Sequence, residues 1–216
     1  MNVIIQKSSA KGSITAPPSK SMAHRLLISA ALSDGVSRVC GISSCEDVLA
    51  TIDCLRALGI KAEKVDNDVI VEGKSFREVK PQAPLECRES GSTLRFMIPL
   101  AALSGHTTVF YGAGRLMKRP MGVYENLFAE KGLTYIGDGE SIVVRGPLKG
   151  GEYSIVGNVS SQFISGLECA IIKEKLPDMD IIACGPILRG LHSPDEYMDL
   201  ASFERFFSIM KSFLAK

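Results

Sequence analysis

The chain has 216 residues, of which 45% are hydrophobic, and 25 Lys and Arg against 24 Asp and Glu give it a formal net charge of +1. That balance excludes a general nucleic-acid surface. No apolar run approaches the roughly 20 residues of a membrane-spanning helix, and the N-terminus lacks a signal-peptide pattern. The length suits one domain, or one domain and a fragment. Cys40, Cys45, Cys54, Cys87, Cys169 and Cys184 have no metal or disulfide-framework spacing. Most stand in apolar surroundings, which predicts reduced, buried thiols in a cytoplasmic protein.

The first predicted elements are short strands, Asn2 to Gln6 and Gly12 to Thr15. Then comes Pro18-Ser19-Lys20-Ser21-Met22-Ala23-His24-Arg25, at the entrance to an apolar helical run ending at Leu32. Ser19 is the expected N-cap, and Pro18 keeps the chain extended before it. A helix start carries free N–H groups and partial positive charge, so it is a seat for an anion. Lys20 adds a point charge, Arg25 a planar fork and Ser21 a neutral donor. Taken alone, the motif reads equally well as an ordinary capped helix with a solvated basic first turn.

Similar motifs recur at Glu89-Ser90-Gly91-Ser92-Thr93-Leu94-Arg95, at Met117-Lys118-Arg119-Pro120-Met121 and at Asn158-Val159-Ser160-Ser161-Gln162-Phe163. Those at Ser21, Gly91 and Ser161 open predicted helices about seventy residues apart, which is the mark of an internal repeat. After the first helix come a strand at Gly35 to Cys40 and a helix at Glu46 to Leu58. Strands at Ile60 to Val65 and Val69 to Glu72 follow, joined by a hairpin turn at Asp66-Asn67-Asp68. The second unit repeats the order: strand Gly105 to Phe110, helix Met121 to Lys131, and strands Leu133 to Ile136 and Ser141 to Arg145 around Gly137-Asp138-Gly139. Each unit is helix-strand-helix-strand-strand with a parallel crossover inside it. Helix starts facing one way would gather anion-binding groups on one surface.

The sequence from residue 1 to about 166 resembles 5-enolpyruvylshikimate-3-phosphate (EPSP) synthases, on the stretches APPSKSMAHR and GNVSSQF and on the order of all four motifs. The resemblance implies an α/β fold, one lobe of an inverse α/β barrel built from these repeats. It also implies transfer of enolpyruvyl from phosphoenolpyruvate to shikimate-3-phosphate, without a cofactor or a metal. Lys20, Ser21, Arg25, Ser160, Ser161 and Gln162 match the residues holding shikimate-3-phosphate. Gly91 and Arg119 match residues on phosphoenolpyruvate, and Lys20 touches both substrates and is the one catalytic candidate. Glu89-Ser90-Gly91-Ser92 departs from the Asn-x-Gly-Thr of many members, so Glu89 removes an amide donor. The sister family acting on a sugar nucleotide lacks the Ser-Lys-Ser…Arg arrangement and ranks below.

From about residue 167 to 216 the chain is similar instead to the C-terminal end of di-zinc aminoacyl-histidine dipeptidases, on GLEC, DIIACGP and RGLHSPDEYMDLASFERF. A chimera with its junction near Ser165 to Glu168 is therefore expected. Residues 1–17 would be a strand segment that normally belongs to a second lobe, 18–166 the first lobe, and 167–216 a segment completing the third repeat. The tail reads as helix (Phe163 to Lys175), strand (Met179 to Cys184) and helix (Leu200 to Leu214), with Phe203, Phe206, Phe207, Met210 and Phe213 on one face. Ser193-Pro194-Asp195-Glu196 is a helix-start signal. His192 matches a zinc ligand of the dipeptidases but stands without companions, and catalytic zinc needs about three protein ligands. Three functions are open: a lobe retaining a half-site for shikimate-3-phosphate, phosphoenolpyruvate or plain phosphate or sulfate, with Lys20 vestigial; an enzyme half completed in trans; or a silent structural chimera. Exposed apolar surface and strand edges favour a homodimer.

Overall fold

The computed structural model describes residue 13, residues 17–156 and 159–175, and two short strands at 188–189 and 197–198. The sequence-predicted strands over 2–15, the strand 179–184 and the helix 200–214 lie outside these residues, apart from Ser13.

The first helix, α1 (Lys20–Leu32), begins where expected, and Ser19 Oγ accepts the Met22 N–H at 3.3 Å. It leads through β1 (Gly35–Val39), α2 (Glu46–Ala57), β2 (Lys61–Val65) and β3 (Asp68–Gly73). The sheet order is β1-β3-β2, with both pairs antiparallel. β1 and β2 therefore run parallel, α2 is their crossover, and β3 is inserted between them: a split β-α-β unit. Alternation along β3 puts Val69 and Val71 into the core.

The second unit repeats this with α3 (Gly91–Ala101), β5 (Thr107–Tyr111), a 3₁₀ turn (Leu116–Lys118), α4 (Gly122–Glu130), β6 (Thr134–Gly137) and β7 (Ser141–Arg145). β7 lies between β5 and β6, antiparallel to both. A two-residue strand ahead of α3, β4 (Leu85–Glu86), pairs parallel with β5 and extends the sheet to β4-β5-β7-β6. Two residues after a proline are too few for any periodic signal, so sequence reading missed it. α5 (Ser161–Lys175) opens the third unit about seventy residues after α3.

α3 is buried on nearly every side, and α5 packs directly against it. Pro99, inside α3, has no N–H to offer the Arg95 carbonyl one turn back. The fully buried Tyr124 of α4 takes over that role, its Oη donating to Arg95 O at 2.7 Å. The same oxygen lies 3.2 Å from Phe163 O of α5. Gly166 makes this approach possible, because a Cβ there would stand 2.9 Å from both Arg95 O and Tyr124 Oη.

Two features differ from the sequence reading. Tyr197–Met198 (β9) pairs antiparallel with Leu188–Arg189 (β8), a strand pair that the reading did not contain, while the helix-start signal at 193–196 lies outside the described residues. Strand pairing satisfies these backbone groups, and Tyr suits an extended chain. The thiols are also less uniformly buried than expected. Cys54 and Cys87 are buried with their sulfurs 3.9 Å apart, Cys45 is half-buried, and Cys40 is exposed just past the end of edge strand β1. The Cys87 thiol and burial push the Cys54 thiol well above its usual range.

Tyr124→Phe should cost about 1–3 kcal/mol in urea denaturation, because it strands a buried carbonyl. In a Pro99→Ala background the new N–H can serve Arg95 O, and the cost of losing the hydroxyl should shrink. Equal costs in the two backgrounds would refute this account of the contact.

Candidate anion site at the helix starts

The site is built around the first turn of α3. Ser90 caps it, its Oγ accepting the Thr93 N–H at 3.2 Å. Two guanidinium groups flank the next residue. A Cβ on Gly91 would stand 2.6 Å from Arg119 Nη1 and 3.0 Å from Arg95 Nη1. A side chain here would have to push both guanidinium tips aside, so glycine leaves them room against the helix start. Arg95 is half-buried, and burial, followed by the Arg119 charge, lowers its pKa. Among the described residues no carboxylate pairs with Arg95 or Arg119, and Arg95 Nε is buried without a partner. Two like charges at a helix N-terminus concentrate positive potential that an anion would neutralise.

α5 contributes the expected glutamine. Gln162 Oε1 accepts from Arg95 Nη1 at 2.9 Å, while its Nε2 donates to Ser92 Oγ at 2.7 Å. The Arg95 Cζ sits 5.1 Å from the centroid of the Phe163 ring, which holds the guanidinium in place. Ser160 caps α5, its Oγ accepting the Gln162 N–H at 3.3 Å. Ser161 is exposed at the first position of the helix.

α1 reaches the same neighbourhood by two routes. Lys20 forms an ion pair with Asp47 of α2, whose main-chain oxygen accepts from Thr93 Oγ1 at 3.1 Å. Lys20 is therefore engaged rather than a free cation, and the hydrogen bond to Asp47 raises its pKa. Arg25 lies over the Phe96 ring of α3, 5.5 Å from its centroid, with Nη1 donating to Ser21 O at 3.0 Å. Ser21 is exposed at the helix start.

Below these groups runs a buried polar chain. His24 Nδ1 is 2.7 Å from Thr51 Oγ1, which is 2.8 Å from Thr93 Oγ1, which in turn is 2.8 Å from Ser90 Oγ. It joins α1 and α2 to the cap of α3. Burial pushes the His24 imidazole down to about 4, so it is neutral at physiological pH.

The structure thus brings Gly91, Arg119 and Gln162 together directly. Lys20 and Arg25 are linked to the group through Asp47 and Phe96, Ser160 acts as a cap, and Ser21 and Ser161 stand exposed at their helix starts. Sequence reading did not single out Arg95. Its signal was an arginine four residues after Gly91, on the same face of an otherwise apolar helix. Glu89 turns its carboxylate to Gly114, where a Cβ would lie 1.8 Å from Oε1.

Repeated split β-α-β units with basic helix starts around a close arginine pair define one lobe of an enolpyruvyl transferase-type α/β protein. The sequence profile of EPSP synthase (3-phosphoshikimate 1-carboxyvinyltransferase) matches residues 4–173, and the chain belongs to that family. It is 44% identical over 174 residues to a 3-phosphoshikimate 1-carboxyvinyltransferase of Clostridium beijerinckii, covering 77% of this chain and 40% of that protein. Identity to the Clostridium perfringens protein is 41% over 167 residues, covering 76% and 39%. The chain therefore spans about two fifths of the length of these relatives. The EPSP synthase structure from Acinetobacter baumannii superposes with a TM-score of 0.64 at 28% identity, covering 74% of this chain and 37% of that one. The enolpyruvyl transferase NikO from Streptomyces tendae shares the fold, with a TM-score of 0.50 at 15% identity. No helix among the described residues is long and apolar enough to cross a membrane.

The buried imidazole predicts a defined acid sensitivity. Unfolded histidine binds its proton near pH 6.5 and His24 only near 4, so stability is intact above 6.5 and is lost as the pH falls towards 4. The loss should total about 3 kcal/mol and level off below 4. Urea denaturation of wild type and His24→Asn across this range checks it: the variant should lack that slope.

Proposed function

We propose that this chain is the substrate-anion side of an enolpyruvyl-transfer site, binding shikimate-3-phosphate, phosphoenolpyruvate or inorganic phosphate where α1, α3 and α5 begin. The observation that carries this reading is the Arg95–Arg119 pair against Gly91, without a carboxylate partner among the described residues. A phosphate or carboxylate there would meet two planar forks, and the Gln162 amide and Ser92 hydroxyl lie beside Arg95. Family membership and the names of the clostridial relatives support the substrate class. We assign Lys20, Ser21 and Arg25 to the shikimate-3-phosphate side with Ser160, Ser161 and Gln162, and Gly91 and Arg119 to phosphoenolpyruvate.

The 216-residue chain assayed alone should bind without turnover. Enolpyruvyl transfer needs an acid and a base at the reacting carbons as well as cations for the phosphates. Here Asp47 is held by Lys20, and Glu89 is turned to Gly114. A second lobe supplied in trans could complete the site. The tail is the second part of the proposal: residues from about 167 derive from a dipeptidase-like segment, with the junction near Ser165 to Glu168 inside helix α5, although the family match runs on to residue 173. A cytoplasmic homodimer is the setting we propose, with edge strands β1 and β6 exposing Val36 by 72% and Ile136 by 60%.

Calorimetric titration with inorganic phosphate and shikimate-3-phosphate tests the reading. Arg119→Ala should weaken phosphate binding by about 1.5–3 kcal/mol, the worth of a charged hydrogen bond. Phosphate release from phosphoenolpyruvate and shikimate-3-phosphate should stay at background. Unchanged affinity in Arg119→Ala would overturn the anion site, and turnover by the chain alone would overturn the half-site.

A further inference from the structure

Arg88 is one of two non-glycine residues with positive φ among those described, at +51°. It occupies the first central position of the turn that Ser90 N–H closes onto Cys87 O at 2.9 Å. Positive φ at that position ordinarily selects glycine. A larger residue persists there only when its surroundings over-determine it.

Contacts on several sides do so. The guanidinium binds two carboxylates of α2, with Nη1 on Glu46 and Nη2 on Asp53 Oδ2 at 2.8 Å. The Arg88 carbonyl accepts the Ala113 N–H at 2.6 Å, and a Cβ on Gly112 would come within 3.0 Å of that oxygen. Next to it, the Glu89 carboxylate rests on Gly114. Residues 112–114 lead through the 3₁₀ turn straight to Arg119, while Ser90 and Gly91 open α3. One residue thus ties α2, the segment delivering Arg119 and the turn delivering Gly91.

We propose that Arg88 is a positioning residue: its two-carboxylate clamp holds the left-handed turn that seats the 112–114 loop and so sets the approach of Arg119 to Gly91. It does not touch the anion, because its fork is occupied by Glu46 and Asp53. The inference rests on the anion site proposed above and deepens it. Its mechanism makes an unusual demand. Glycine at 88 should preserve the geometry that alanine loses, because only glycine adopts positive φ without the clamp.

The test compares the full 216-residue wild type with Arg88→Ala and Arg88→Gly, using ¹⁵N-labelled protein. Exchange of the Ala113 amide, referenced to β5 amides in the same sample, reads the loop contact directly. The Arg119 Nε resonance reads the site, and titration with inorganic phosphate reads its function. In Arg88→Ala, Ala113 should exchange about tenfold faster, the Arg119 resonance should move, and phosphate should bind about tenfold more weakly. In Arg88→Gly all three should stay near wild type, the two rates within about threefold. If Arg88→Ala does not fold, Arg88→Lys, which lacks the fork, stands in for it with the same ordering expected. Glycine as damaging as alanine, or alanine without effect, overturns the proposal. A wild type that binds no phosphate would instead overturn the anion site, and Ala113 exchange and the Arg119 resonance would still decide the role of Arg88.

Discussion

Two guanidinium groups pressed against the first turn of a buried helix form the constraint on which the rest of this lobe depends. Like charges repel, and a helix N-terminus adds positive potential rather than relieving it. Holding Arg95 and Arg119 there requires restraints that are not themselves anions. The Phe163 ring stacks on one guanidinium, and the Gln162 carbonyl oxygen takes one of its hydrogens. Both come from α5, so the third repeat is needed to complete a site centred on the second.

The same demand explains why α3 is the hub of the packing. Pro99 leaves the Arg95 carbonyl open, and Tyr124 closes it while packing edge-on against Phe163, with centroids 4.9 Å apart. The hydroxyl chain from His24 through Thr51 and Thr93 ends on the cap of α3. α2, α4 and α5 are each bound to α3 by a specific polar contact, and α1 joins them through Thr51 of α2. Apolar burial alone would let these helices slide, whereas a buried polar chain tolerates only the arrangement that satisfies its members.

Much of this was legible in the sequence. Ser19, Gly91 and Ser161 marked helix starts because capping chemistry is local, and the strand β7 fell on Ser141 to Arg145 as read. The site residues could be named from their motifs, but their contacts could not. Arg95 looked like one more residue of an apolar helix, since nothing local says that Phe163 and Gln162 will meet it from 67 and more residues away. Lys20 looked like a free cation, and only the placement of α2 supplies Asp47. β4 was invisible, because a two-residue strand takes its identity from β5 and has no pattern of its own.

By itself the sequence determined the repeating unit, the helix starts, the crossover within each unit and the family, all of which rest on short-range chemistry and on motif order. Tertiary structure alone decided which cations meet a carboxylate, which carbonyl Tyr124 serves, and why Arg88 holds a glycine-like backbone angle. Each of these depends on groups far apart in the chain meeting within about 3 Å, the range over which a hydrogen bond forms. That coincidence is set by how whole helices pack, and no local pattern encodes it.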